Sequence, residues 1–140
     1  MPATAIGDRT TGLTRTALAF FLLMLWPLPA AADIVPMVFF KFRESSLSEP
    51  AVEVLHEAML IYREGHYAKL IVTGFCDTAE MVKDCPALAQ RRADAAKNAL
   101  MRLGIDESRI DTGVSVELLV PTGPDVREPQ NRRVVVDFLR

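Results

Sequence analysis

The sequence predicts an α/β fold of the α+β kind, with two helices packed on a mixed four-stranded sheet. Three observations carry this. Apolar runs rich in β-branched and aromatic residues recur at Ile34–Phe42, Lys69–Thr73, Arg109–Val116 and Arg132–Phe138, and each reads as a strand. Two longer stretches between the first three runs show three- and four-residue apolar spacing, which is the period of a helix. A proline- and glycine-rich segment, Pro121–Pro129, separates the last two runs. The order is therefore β-α-β-α-β-loop-β, a sandwich with the helices on the sheet.

The elements follow in turn. Ile34–Phe42 (IVPMVFFKF) is nearly continuously apolar, as a buried strand would be, although Pro36 pushes its start to an edge. Ser48 with Glu49 and Pro50 makes a helix start: a capping hydroxyl, an acid for the dipole and a first-turn proline. Val52, Leu55, Met59 and Tyr62 form the expected apolar stripe of that helix, and Gly65 is placed to end it. Lys69–Thr73 (KLIVT) is the second strand, closed by Gly74, and residues 75–86 form a polar loop. Pro86 opens the second helix, which runs to Gly104 as its C-terminal glycine.

The first thirty-two residues have a different character. Arg9 and Arg15 precede a short apolar run, Thr16–Trp26, followed by Pro27, Pro29 and Ala30-Ala31-Ala32. A basic region, a short apolar region and a small-residue site together describe a secretory signal peptide, so residues 1–32 are expected to be removed and 33–140 to form the mature domain, beginning at Asp33. An uncleaved anchor is the competing arrangement, but a spanning helix needs about 20 apolar residues. With cleavage no membrane span is expected. The formal charge of -2 gives no basic surface for nucleic acid.

Export changes the reading of the two cysteines, Cys76 and Cys85. In an oxidising compartment each has the other as its only intramolecular partner, so a disulfide is expected, with two free thiols or a bridge to another chain as the alternatives. They bracket the loop between the second strand and the second helix.

On that second helix Leu88, Ala95, Ala96, Ala99 and Leu103 make the apolar stripe, and Arg92 lies on it. A guanidinium turned toward the core must find an anion, because an unpaired charge there costs several kcal/mol. Asp77, just past the end of the second strand, is the expected partner. Two arrangements fit. The two side chains neutralise each other, or they flank a gap and share a zwitterion, Asp77 taking the ammonium and Arg92 the carboxylate.

Three blocks bear on that choice: Gly74-Phe75-Cys76-Asp77, Leu88-Ala89-Gln90-Arg91-Arg92-Ala93 and Asn131-Arg132-Arg133-Val134. In this order and spacing they resemble the signature of the OmpA-like domain family, whose first block reads roughly GHTD and whose second lies in an LSxxRA stretch. The upstream Val38-Phe39-Phe40 with Ser45-Ser46-Leu47, and Gly104-Ile105 with Arg109-Ile110, also correspond, so the resemblance covers roughly residues 36 to 138. It implies non-covalent peptidoglycan binding in the periplasm, with an anchoring or adaptor role in the cell envelope and an association with the outer membrane. By the same resemblance Asp77 and Arg92 hold the amino and carboxylate groups of diaminopimelate in the stem peptide, and Arg132 lines the pocket with Asn131 beside it.

This chain departs from the pattern at three places. The family's threonine before the aspartate is Cys76, its asparagine eight residues after the aspartate is Cys85, and the usual loop glycine is absent from Thr78-Ala79-Glu80-Met81. A disulfide there replaces two polar ligand contacts and stiffens the loop. The reading from a different class is therefore an interaction module that kept the fold, lost the peptidoglycan ligand and binds an envelope protein.

An enzyme is not expected. His56 falls within the first helix and His66 in the turn after it, and neither has a nucleophile-and-base pattern around it. The cysteines are not spaced as C-x-x-C, and a zinc site would need two further ligands that the sequence does not supply. No cofactor or metal is expected.

Overall fold

The computed structural model describes residues 34–140, and the expected signal peptide and its cleavage site lie outside them. Six regular elements follow one another: β1 (Met37–Phe39), α1 (Glu49–Glu64), β2 (Lys69–Gly74), α2 (Cys85–Arg102), β3 (Ile110–Val114) and β4 (Arg133–Leu139). Short 3-10 turns at Glu107–Arg109 and Pro129–Asn131 lead into β3 and β4. The sheet order is β1-β4-β2-β3, with β4 antiparallel to both neighbours and β2 parallel to β3. The predicted α+β fold, two helices on a mixed four-stranded sheet, is the fold observed.

Period-two alternation decides which side chains form the core. Val38 of β1, Leu70 and Val72 of β2, and Val134 and Val136 of β4 are almost fully buried and pack in one cluster with Leu55, Ala58 and Met59 of α1 and Ala93, Ala96, Ala99 and Leu100 of α2. Burying each valine, leucine and methionine of this cluster contributes about 1.5–3 kcal/mol.

Two elements differ from expectation. β1 is three residues long rather than nine. Pro36 has no N–H to give, although its carbonyl still accepts from Val136 N at 3.1 Å. Beyond Phe40 the chain turns away from the sheet through Arg43, which has φ 60°, and the Lys41 and Glu44 carbonyls turn toward α2 instead. In α1 the buried stripe is Ala51, Leu55, Ala58 and Met59, while Val52 is exposed. Alanine spacing, not valine, marks the inward face there.

The caps follow their residue chemistry. Ser48 Oγ accepts from Ala51 N at the start of α1. Gly104, at φ 98°, ends the α2 segment as expected of a C-terminal glycine. Gly65 also follows its helix, but in a right-handed conformation; the left-handed residue is His66, at φ 51°. Among the described residues no helix is long and apolar enough to cross a membrane.

Candidate functional site

β2 and α2 meet at Gly74. A Cβ there would stand 2.0 Å from the Ala89 carbonyl oxygen, so only glycine permits this approach. The close contact sends the chain inward: Phe75, Cys76, Asp77, Ala79 and Glu80 are all buried. The polar loop expected over residues 75–86 is thus interior as far as Glu80 and exposed from Val82 to Asp84. Cys76 and Cys85 form the expected disulfide, with Cα atoms 5.9 Å apart, and pack with Leu88 and Ala89 in a small second core. α2 begins at Cys85 itself, so the bridge ties the end of β2 to the first residue of the helix.

Arg92 is fully buried, and every one of its five N–H donors has an acceptor. Nη1 donates to Glu80 Oε2 at 2.8 Å and Nη2 to Glu80 Oε1 at 2.7 Å, a bidentate fork. Nε donates to the Glu44 carbonyl at 2.8 Å, Nη1 also to that of Phe75 at 3.0 Å, and Nη2 also to that of Lys41 at 3.2 Å. The guanidinium lies over the Phe40 ring, 5.2 Å from its centre. The charge is therefore solvated by protein on all sides, which is how a cation can lie on an apolar stripe.

Asp77 is equally buried, and its partner is Arg132, not Arg92. Oδ2 accepts from Arg132 Nη1 at 2.8 Å and from Glu128 N at 3.1 Å, and Oδ1 accepts from Glu80 N at 2.9 Å. In return Glu80 Oε2 accepts from Asp77 N at 3.3 Å, and Oε1 from Arg43 N at 2.7 Å. The expected Asp77–Arg92 contact, whether direct or across a gap, is thus replaced by two linked pairs, Arg92–Glu80 and Asp77–Arg132. The physical reason is geometric: the turn after Asp77 brings Glu80 back beneath the helix, where it takes the guanidinium fork first. Glu80 is the site residue that sequence reasoning missed. Its one signal was the missing glycine in the Thr78–Met81 stretch.

Arg132 also donates from Nε to the Phe40 carbonyl at 3.1 Å and lines a groove of about 590 Å³ with Phe39, Phe40, Lys41, Leu47 and Gln130. Asn131, expected beside the pocket, uses its side-chain amide on the Val120 backbone, accepting from N at 2.9 Å and donating to O at 2.8 Å. It pins the Pro121–Pro129 loop from below. Arg133 is a further buried cation. It stacks on Phe75 with its guanidinium carbon 3.9 Å from the ring centre, and its Nε and Nη1 have no hydrogen-bond partner. Burial holds this guanidinium below its usual pKa, and Glu117 draws it partly back up. Among the described residues no group of three or more His, Cys, Asp or Glu side chains is placed to hold a metal ion. His56 and His66 are exposed.

The OmpA family profile matches residues 39–132, which run from the last residue of β1 through both helices and the Asp77 loop to Arg132. The chain belongs to the OmpA family. An outer membrane protein of Gluconacetobacter diazotrophicus is 35% identical over 108 residues, covering 71% of this chain but 29% of that relative. The chain thus spans less than a third of that relative's length. Among solved structures, the OmpA-like domain of FopA1 from Francisella tularensis superposes with a TM-score of 0.63 at 16% identity, over 73% of this chain and 69% of that one. The peptidoglycan-associated lipoprotein from Burkholderia pseudomallei superposes with a TM-score of 0.62 at 21% identity, over 74% and 89%. At such identities the superpositions speak for the fold. The OmpA family is one of structural and binding proteins, and the chain is not an enzyme.

Proposed function

We propose that this domain binds peptidoglycan non-covalently in the periplasm, at the amino-acid end of diaminopimelate in the stem peptide, with Asp77, Arg92 and Arg132 as the ligand groups. The supporting observation is the pairing of seats around Asp77. Arg92 presents a bidentate fork that grips a carboxylate, and next to it Asp77 accepts from a cation. A ligand carrying one carboxylate and one ammonium matches that pair of seats in charge and geometry. Family membership supports the same ligand class, as does the fold shared with a peptidoglycan-associated lipoprotein. In this reading residues 1–32 direct export, the mature protein begins at Asp33, and the domain serves as an anchor or adaptor in the cell envelope, close to the outer membrane.

Co-sedimentation with insoluble peptidoglycan tests the site. Removing a charged partner from a desolvated contact costs on the order of 2–5 kcal/mol, so Asp77→Ala and Arg92→Ala should each reduce binding many-fold. Variants that keep the circular dichroism of the wild type and still co-sediment like it would refute the assignment.

One observation favours a second reading. Both Asp77 and Arg92 are wholly buried, and their polar atoms are already engaged inside the protein. An interaction module for an envelope protein, with its ligand pocket closed for good, would look like this. Folded wild-type protein that never co-sediments with peptidoglycan would select it.

A further inference from the structure

We propose that Glu80 is an intramolecular latch: it occupies the carboxylate seat on Arg92, and an incoming ligand carboxylate must displace it. The inference rests on the proposed function for the identity of the ligand, but not for the existence of the seat. Four donors converge on the Glu80 carboxylate: both Nη atoms of Arg92, Arg43 N and Asp77 N. Nothing in this set is peculiar to a side chain of the same protein. A free carboxylate placed at the same point would satisfy the same donors, so exchange leaves the buried guanidinium neutralised throughout.

The departing side chain also has somewhere to go. A cavity of about 100 Å³ adjoins Glu80 and is lined by Arg43, Lys83 and Arg91, with Asp84 and Leu88. Three cations against one acid make it a basin in which a displaced carboxylate stays paired and partly hydrated. The disulfide pins both ends of the segment that carries Glu80, with Asp77 just inside one end and Cys85 at the other. Opening therefore asks for a side-chain swing in the Thr78–Asp84 turn rather than for unfolding of the loop. Asp77 keeps its contacts with Arg132 and Glu128 N while this happens.

A tethered carboxylate competes at a high effective concentration, so the apparent affinity for a ligand is lowered by the fraction of molecules in which the latch is open. Removing the latch should raise affinity, and the gain should depend on Arg92.

Two readouts on the wild type, Glu80→Gly and Glu80→Gly with Arg92→Ala test this. With insoluble peptidoglycan as the probe, Glu80→Gly should half-saturate at concentrations at least about tenfold lower than wild type, and adding Arg92→Ala should abolish the gain. With sodium acetate against sodium chloride at matched ionic strength, acetate should raise the melting temperature of Glu80→Gly and leave that of wild type unchanged. A folded Glu80→Gly that shows neither effect overturns the latch. An acetate effect without peptidoglycan binding by any variant keeps the latch and overturns the peptidoglycan reading. Equal peptidoglycan binding by wild type and Glu80→Gly, without an acetate effect, does the reverse. Should Glu80→Gly fail to fold, Glu80→Gln decides by the same two readouts, since it keeps the shape and removes the charge.

Discussion

Arg92 and Glu80, twelve residues apart in sequence, form a fully buried bidentate ion pair across the gap between α2 and the turn that follows β2. The two partners are not equivalent. Glu80→Gln leaves Arg92 a single oxygen acceptor and turns an amide NH2 toward the other donors, whereas Arg92→Met leaves a buried carboxylate held only by Arg43 N and Asp77 N and also orphans the carbonyls of Glu44 and Phe75. Breaking one side of a buried pair costs about 3–5 kcal/mol, so both variants should be clearly destabilised, Arg92→Met the more. The double variant should cost less than the two together by at least about 1 kcal/mol. Urea denaturation of the four proteins closes the cycle, and strict additivity would mean the pair is not coupled.

The disulfide makes a separate contribution. Cys76 and Cys85 close a loop of about ten residues, which stabilises the fold by about 2–3 kcal/mol in the chain-entropy model. Replacing both by alanine should lower the unfolding free energy by that amount and make the denaturation midpoint insensitive to dithiothreitol. The wild type should fall to a similar midpoint only when reduced. A wild-type midpoint that ignores dithiothreitol, in a protein shown to be reduced, would remove this contribution.

Much of this architecture is legible in the sequence because it is local. Ser48 and Pro50 mark the start of α1, Gly104 follows the end of α2, and the four-residue step from Leu88 to Arg92 to Ala96 places a cation on the buried face. What satisfies that cation is not local. Its acceptors come from Lys41, Glu44, Phe75 and Glu80, two separate stretches whose carbonyls and carboxylate point inward only because β1 stops early and the start of the post-β2 loop is buried. Asp77 stands where α/β sheets place ligand residues, but position along the chain does not say which way a turn folds back. The same limit hid the role of Asn131, whose partner Val120 lies eleven residues away in a loop without periodicity.

Arg133 is a buried cation without the satisfaction that Arg92 enjoys. Its Nε and Nη1 have no partner, and stacking on Phe75 returns only part of the desolvation cost, with cation–π contacts contributing about 0.5–2 kcal/mol. Arg133→Met keeps the length and the contact with the ring while removing the charge. We expect the variant to be as stable as the wild type or more so, by up to about 1 kcal/mol, since apolar replacement of a poorly compensated buried charge is often favourable. A loss greater than about 1 kcal/mol in urea denaturation would show that Glu117 and Phe75 together hold the guanidinium better than its unpaired atoms suggest.

Gly74 is the point on which the position of the whole site depends. Its missing side chain lets the end of β2 lie against the backbone of α2, and a methyl group there would stand 2.0 Å from the Ala89 carbonyl oxygen and 2.7 Å from its carbon. Both are backbone atoms, so no side chain can rotate away, and the strand and the helix must separate instead. Overpacking of this kind costs about 1–3 kcal/mol when side chains can adjust, and more when the backbone must move. Gly74→Ala should therefore lower the melting temperature by at least about 4 °C, as 1 kcal/mol shifts a domain of this size by about that much. It should also loosen the neighbouring network, because Phe75, whose carbonyl accepts from Arg92, is the next residue. Hydrogen exchange distinguishes this from a general weakening: the amides of Asp77 and Glu80 should lose protection under native conditions while those of Leu55 and Ala58 in the middle of α1 keep theirs. Uniform loss across all four would mean that the domain opens as one unit and that Gly74 is no hinge for the site.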